Sequence, residues 1–129
     1  PLYPNWPFLG NTSGASGAGG AYATAADYLR FVRALRAGTL VSAAMRDTLW
    51  VGRSSLPWDS TTKYGYGFER TTVGGRDAVG HGGGGGGSGM DNDLMTFVDG
   101  RYTVVVLGNF DPPGATNLGA ALVRFLAAQ

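Results

Sequence analysis

The sequence has no cysteine. That excludes disulfides, thiolate metal sites and a cysteine nucleophile, and it leaves the compartment open. Charge is scarce as well: Asp, Glu, Lys and Arg make up 15% of the residues, where about 25% is usual. The net charge is +1, with no basic stripe and no acidic run, so neither nucleic acid nor an anionic membrane surface is indicated as a partner. No apolar run approaches the ~18–20 residues of a membrane span, and no signal peptide opens the chain. Internal repeats are lacking too. Pro1 stands where an initiator Met would, so a piece of a longer product is expected.

Glycine, in contrast, is abundant, at 23 of 129 residues or about 18%, against roughly 7% in average proteins. Adding the 6 prolines gives 29 of 129, about 22%, just under the roughly 25–30% of low-complexity chains. The hydrophobic share of 43% and aromatic share of 12% argue against disorder, which needs low hydrophobicity and high net charge. The glycines fall into two clusters, one at Gly10, Gly14, Gly17, Gly19 and Gly20, the other at Gly80, Gly82–Gly87 and Gly89. One globular domain with two glycine-rich loops is the expectation.

Residues 1–23 read as an extended Gly/Pro-rich lead-in. Structure is expected over 24–129. Thr24 and Asp27 form a Thr-x-x-Asp capping pattern, and Tyr28, Leu29, Val32 and Leu35 follow at helical spacing until Gly38. A shorter helix is expected from Ser42 as N-cap through Met45, Leu49 and Trp50. Residues 52–63 read as loop, with Pro57, Asp59 and Ser60 as breakers. The period then changes to two: Tyr64, Tyr66 and Phe68 alternate with Gly65 and Gly67, as in a strand with one aromatic face. A Gly74-Gly75 turn leads to a strand over 76–80, and the glycine loop follows. A hairpin closes the sheet, with strands near 94–98 and 103–107 around Asp99-Gly100. The last helix is expected to bury Leu118, Leu122, Phe125 and Leu126. The result is an α+β fold, an antiparallel sheet of three or four strands with flanking helices. The apolar run 103–107 would be an edge strand in need of a partner segment.

The run Gly80-His81-Gly82-Gly83-Gly84-Gly85-Gly86-Gly87-Ser88-Gly89 is the most unusual element. Consecutive glycines raise the entropy cost of ordering, so packing does not explain them. They suit a backbone that approaches a ligand closely, or successive N–H groups aimed at an anion or oxyanion. A floppy hairpin loop is the plainer alternative. An α/β-hydrolase would use a His-Gly-Gly-Gly stretch but also needs Gly-x-Ser-x-Gly; after Ser16 the closing position is Ala18, and after Ser88 it is Met90. The phosphate-loop pattern Gly-x-x-x-x-Gly-Lys-Ser/Thr is absent. Asp91, Asn92 and Asp93 suggest either a metal ligand set or, more simply, a turn cap; no metal or cofactor is assigned.

The remaining class is carried by particular segments. Residues 17–31 (Gly-Ala-Gly-Gly-Ala-Tyr-Ala-Thr-Ala-Ala-Asp-Tyr-Leu-Arg-Phe) resemble the glycine turn and helix of class C β-lactamase-like and penicillin-binding-protein-like serine hydrolases and esterases. Tyr64-Gly65-Tyr66-Gly67-Phe68 resembles that family's strand ahead of its third motif. Gly80-His81-Gly82-Gly83-Gly84 resembles the His-x-Gly version of Lys-Thr-Gly. Val104–Leu107 with Asn109-Phe110-Asp111-Pro112-Pro113 resembles the next strand and turn. The similarity runs over roughly 17–128, in family order, and corresponds to the C-terminal part of a β-lactamase/transpeptidase-like fold.

The resemblance implies an acyl-enzyme mechanism on a β-lactam, a D-amino-acid peptide or a small ester. His81 would stand where the family has Lys or His, the Gly84 N–H would be an oxyanion donor, and Gly82 and Gly83 would keep the strand close to substrate. Tyr22, Trp58 and Tyr64 are candidates to line the cleft, though core or loop packing would also account for them, as a solvated loop would for His81. The family's nucleophile comes from an upstream Ser-x-x-Lys, with Tyr-x-Asn after it. Ser60-Thr61-Thr62-Lys63 and Tyr3-Pro4-Asn5 match these patterns in reversed order, and Ser60 and Lys63 sit in a Pro/Asp loop rather than at a helix start. Both matches are expected to be accidental. The implied partners are a small acyl substrate and the N-terminal half of the same protein, with a homo-oligomer as a further option. Family habit implies a periplasmic or secreted location.

Overall fold

The structure, a computed structural model, describes Gly17 and residues 19–129. Most of the lead-in, Tyr3-Pro4-Asn5 included, lies outside the described residues. Helix α1 spans Ala25–Ala37 and starts as the sequence indicates: Thr24 Oγ1 accepts the Asp27 N–H at 3.2 Å, while the Asp27 carboxylate accepts the Thr24 N–H at 2.9 Å. These hydrogen bonds hold the Asp27 carboxyl near a pKa of about 2. Gly38, at φ 76°, ends the helix by donating its N–H to the Ala34 and Leu35 carbonyls. Helix α2, Ala43–Leu49, is capped by Ser42, whose Oγ accepts the Met45 N–H at 3.2 Å.

Six antiparallel strands follow in sequence order across one sheet: β1 Ser54–Leu56, β2 Asp59–Tyr64, β3 Glu69–Val73, β4 Arg76–Gly84, β5 Asp91–Phe97 and β6 Thr103–Gly108. The expected loop over 52–63 is therefore corrected to the hairpin β1–β2. Pro57 and Trp58 form its turn between the paired Leu56 and Asp59. The Asp59 carboxylate accepts from Thr61 N–H at 2.9 Å and from the Thr61 and Thr62 hydroxyls at 2.6 Å each, so the apparent breaker satisfies its own strand.

The expected strand over 64–68 is also corrected. Only Tyr64 belongs to a strand, and 65–68 are the β2–β3 connection. A Cβ on Gly65 would stand 2.6 Å from the Val51 carbonyl oxygen, so glycine is needed where this turn crosses the end of α2. Its aromatics disperse: Phe68 meets Trp50 edge-on at 6.4 Å, and Tyr66 lies under the Arg53 guanidinium at 4.5 Å. Strand β4 runs to Gly84 rather than 80, because the first glycines of the run pair with β5.

Helix α3, Gly114–Ala127, packs on one face of the sheet over Ala78, Phe97 and Val104. Helices α1 and α2 cover the other face, where Leu35 and Trp50 meet Val79. Neighbouring Ala78 and Val79 thus serve opposite cores, as strand alternation requires. The buried face of α3 differs from the expected one. Ala115, Gly119, Val123 and Ala127 turn inward, whereas Leu118, Leu122 and Phe125 are 52%, 38% and 63% exposed. Small residues every fourth position let the helix axis approach the sheet. A Cβ on Gly119 would come 1.9 Å from Asp93 Oδ2.

Candidate functional site

Strand β4 outruns β3. Their pairing ends at Glu69 opposite Gly80, while pairing with β5 continues to Gly84 opposite Asp91. Among the described strands, residues 81–84 thus have a neighbour on one side only, and their other side is an edge of the sheet. Gly80 is the last doubly paired residue. A Cβ there would stand 1.7 Å from the Leu94 carbonyl oxygen and would push β4 off β5.

His81 is exposed at the start of this edge. Tyr64, at the end of β2, reaches it: Tyr64 Oη is 3.1 Å from His81 Nε2, with the rings perpendicular at 5.7 Å. His81 Nδ1 lies against the Gly82 carbonyl. A carbonyl only accepts, so Nδ1 is the donor in that contact, while the Tyr64 hydroxyl can serve Nε2 as donor or as acceptor. The pair offers a substrate one aromatic hydroxyl and one imidazole nitrogen already joined by a proton.

Gly82, Gly83 and Gly84 border a cleft of about 360 Å³ whose other lining includes Trp58, Glu69 and Asp93. Trp58 is 80% exposed at its rim. Asp93 is buried at 9% exposure. Desolvation, with Glu69 and Asp91 adding like charge, pushes its pKa up to about 6. Asp91 accepts the Thr116 N–H at 3.0 Å and the Thr116 hydroxyl at 2.6 Å. It thereby caps α3, whose own N-cap, Pro113, has no side chain to do so. These bonds to Thr116 hold the Asp91 carboxyl below the usual range.

The glycine loop proper is 85–90, and it is tied down. Ser88 Oγ donates to the Gly85 carbonyl at 2.6 Å and accepts the Gly85 N–H at 3.1 Å. The Asp111 carboxylate accepts the Gly87 N–H at 2.8 Å and the Gly89 N–H at 2.7 Å, and these bonds keep its pKa low. The loop's amides do face an anion, as their composition suggests, but the anion belongs to this chain.

The structure thus brings His81 together with Tyr64, and Gly82–Gly84 together with Trp58. Tyr22 is 69% exposed ahead of α1. Ser60 and Lys63 both lie on β2 three positions apart, which places them on opposite strand faces. Lys63 Nζ donates instead to Ser55 Oγ at 2.7 Å. Asp111 and Glu69 have site positions that sequence reasoning assigned them no part in, and Asp91, Asn92 and Asp93, read as a metal set or a turn cap, instead open strand β5. Among the described residues no group of three His, Cys, Asp or Glu is placed to hold a metal ion, and no helix is long and apolar enough to cross a membrane.

A family model described as "Beta-lactamase" matches residues 2–129. The fold is similar to that of a penicillin binding protein from Bacillus halodurans, with TM-score 0.72 and 21% identity, covering 87% of this chain and 33% of that one. It is also similar to a D-stereospecific amidohydrolase from Streptomyces sp., with TM-score 0.63 and 23% identity, covering 76% of this chain and 28% of that one. The chain therefore spans about a third or less of either relative. No curated protein sequence matches it.

Proposed function

The chain belongs to the beta-lactamase family, which is of serine-hydrolase type, and we propose that residues 24–129 supply one wall of an acyl-enzyme active site. The observation that carries this reading is the open edge of β4 at 81–84, with Tyr64 hydrogen-bonded to His81 at its head. An edge strand with free main-chain groups can align an extended acyl substrate, and N–H groups aimed at the carbonyl oxygen stabilise a tetrahedral intermediate. In this reading Gly84 donates its N–H to the oxyanion, and Gly82 and Gly83 keep the strand close to substrate. His81 and Tyr64 bind the substrate's polar group or relay its proton. Tyr22 and Trp58 are the aromatic candidates for the cleft's rim.

A serine supplied from outside this chain attacks the acyl carbon, the leaving group departs with a proton, and water then cleaves the ester. The substrate class is a β-lactam, a D-amino-acid peptide or a small ester, and the compartment is the periplasm or exterior. The complementary partner is the remaining part of the domain. Its docking place is the edge of β6 that no other described strand pairs with, together with the outward stripe Leu118, Leu122 and Phe125 on α3.

Nitrocefin and p-nitrophenyl ester assays test this. The 129-residue chain should show no turnover, and a chain extended by its upstream coding sequence should. In the extended protein, His81→Ala should lower kcat/KM by roughly 10²–10⁴-fold, the range of general acid–base groups. Turnover by the isolated chain, abolished by Ser60→Ala, would overturn the reading and make the local Ser-x-x-Lys functional.

The same β6 edge and apolar stripe favour one other reading, a non-catalytic module that pairs with a second copy. Size-exclusion chromatography separates them. A stable dimer indifferent to an added upstream half supports the module.

A further inference from the structure

We propose that Asp111 is a positioning residue: from the β6–α3 junction its carboxylate latches the glycine loop and so sets the path of the β4 edge at His81–Gly84. The role of that edge in binding substrate rests on the function proposed above; the latch itself does not.

A run of six glycines from Gly82 to Gly87 has no side chains to hold it and the greatest backbone freedom of any residue type. Beyond Gly84 the ladder with β5 has ended. Inside the loop, Ser88 closes 85–88 on itself and ties it to Met90, the residue before β5, on the same side of the loop. The bonds that tie the loop to the β6–α3 junction are the two N–H···O⁻ contacts from Gly87 and Gly89 to the two oxygens of Asp111. They are charge-assisted and bidentate, the stronger kind of hydrogen bond. No basic side chain among the described residues pairs with Asp111. The nearest carboxylate sharing its surroundings, Asp91, is turned to Thr116.

The neighbouring residue completes the link. Pro112 Cγ would be 3.1 Å from a Cβ at Gly84, whose other contacts are the Met90 carbonyl oxygen at 2.7 Å and Asp91 Cα at 3.2 Å. Asp111 and Pro112 therefore touch the glycine run at both ends, at the loop tip and at the last strand residue. The junction is anchored in turn by β6 and by α3. A shift of Asp111 moves the strand edge without any contact to substrate.

The test is amide NMR and hydrogen exchange on the chain with Asp111 as found, and with Asp111→Ala and Asp111→Asn. In the unsubstituted chain the Gly87 and Gly89 amide protons should shift together as pH falls below the ordinary carboxylate range. Asp111→Ala should raise their exchange at least about tenfold and displace the His81–Gly84 resonances. Asn offers one acceptor oxygen, so Asp111→Asn should give an intermediate result and serves as the test if the Ala variant does not fold. Unchanged His81–Gly84 resonances in the substituted chain, or Gly87 and Gly89 amides blind to carboxylate titration, would overturn the latch. In the upstream-extended protein, Asp111→Ala should lower kcat more than it raises KM, with partial rescue by Asn. If that protein proves inactive while the NMR results hold, the proposed function fails and the latch stands.

Discussion

Among the six described strands, β4 beyond Gly80 and β6 along its whole length each have one hydrogen-bonded neighbour, yet they are built in opposite ways. The β4 edge is glycine, a histidine and polar neighbours, held by a tyrosine hydroxyl at its head and a carboxylate latch at its tail. The β6 edge is Thr103–Gly108, four of whose residues are Val or Leu. It is flanked by exposed Leu107, Phe110, Leu118, Leu122 and Phe125. Natural sheets blunt exposed edges with charge, proline or bulges. β6 does none of this, so its edge is suited to being covered by protein. The β4 edge is braced to stay open in water. An edge kept open at the cost of ordering glycines is suited to a ligand; an edge left apolar is suited to another chain.

The largest effect that sharpens this contrast is expected at Gly80. Gly80→Ala places a methyl 1.7 Å from a backbone oxygen of β5, and backbone cannot swing aside as a side-chain tip can. A loss of about 3 kcal/mol or more is expected, read as a lower urea midpoint. Stability within 1 kcal/mol of the unsubstituted chain would mean that β4 and β5 do not approach so closely.

Asp93 comes next, because it stands behind the open edge, opposite Gly82. Its folded pKa, about 6, is raised above the ordinary 3.8. The folded state therefore binds this proton more tightly than the unfolded chain. The sign follows: stability falls as pH rises from about 4 through about 6, by a total on the order of 3 kcal/mol for a two-unit shift. Asp93→Asn should raise Tm at pH 7.5 and flatten the dependence between pH 4 and 7. A mutant with an unchanged pH profile would show that the carboxyl is not desolvated.

The smallest effect on folding, and the sharpest on association, belongs to the β6 side. Leu122→Glu with Leu107→Lys should alter stability by no more than about 0.5 kcal/mol per site, as exposed positions do, while weakening capture of the upstream half or of a second copy. Analytical ultracentrifugation reads this directly. Undiminished association would place the docking surface elsewhere.

The elements that were legible in the sequence are those whose signal is local. Thr24 with Asp27, Gly38, Ser42, Gly74-Gly75 and Asp99-Gly100 each mark a boundary through a hydrogen bond or a left-handed backbone within four residues, and each boundary is where the residue type puts it. The first part of β4, expected over 76–80, was legible for the same reason, because the Gly74-Gly75 turn marks its start. Its extension to Gly84 was not, because glycine has no strand preference and only pairing with β5 makes 81–84 extended. Likewise Tyr64-Gly65-Tyr66-Gly67-Phe68 reads as a strand by period, but Gly65 alternates there for the passage against α2, not for a bare strand face.

By itself, then, the sequence determined the α+β class, the ends of α1, the start of α2, the turns at Gly74-Gly75 and Asp99-Gly100 and the family, all of which rest on residue identity and short-range geometry. Tertiary structure alone decided which face of α3 is buried. Period 3.6 allows two apolar stripes, and close approach to Asp93 and Phe97 selects the small residues Ala115, Gly119, Val123 and Ala127 over the leucines. It alone decided that Asp91 caps a helix 25 positions away and that Asp111 reaches loop amides 22 and 24 positions back. A carboxylate's partner is set by which N–H groups the fold brings within 3 Å, and no local pattern contains that distance.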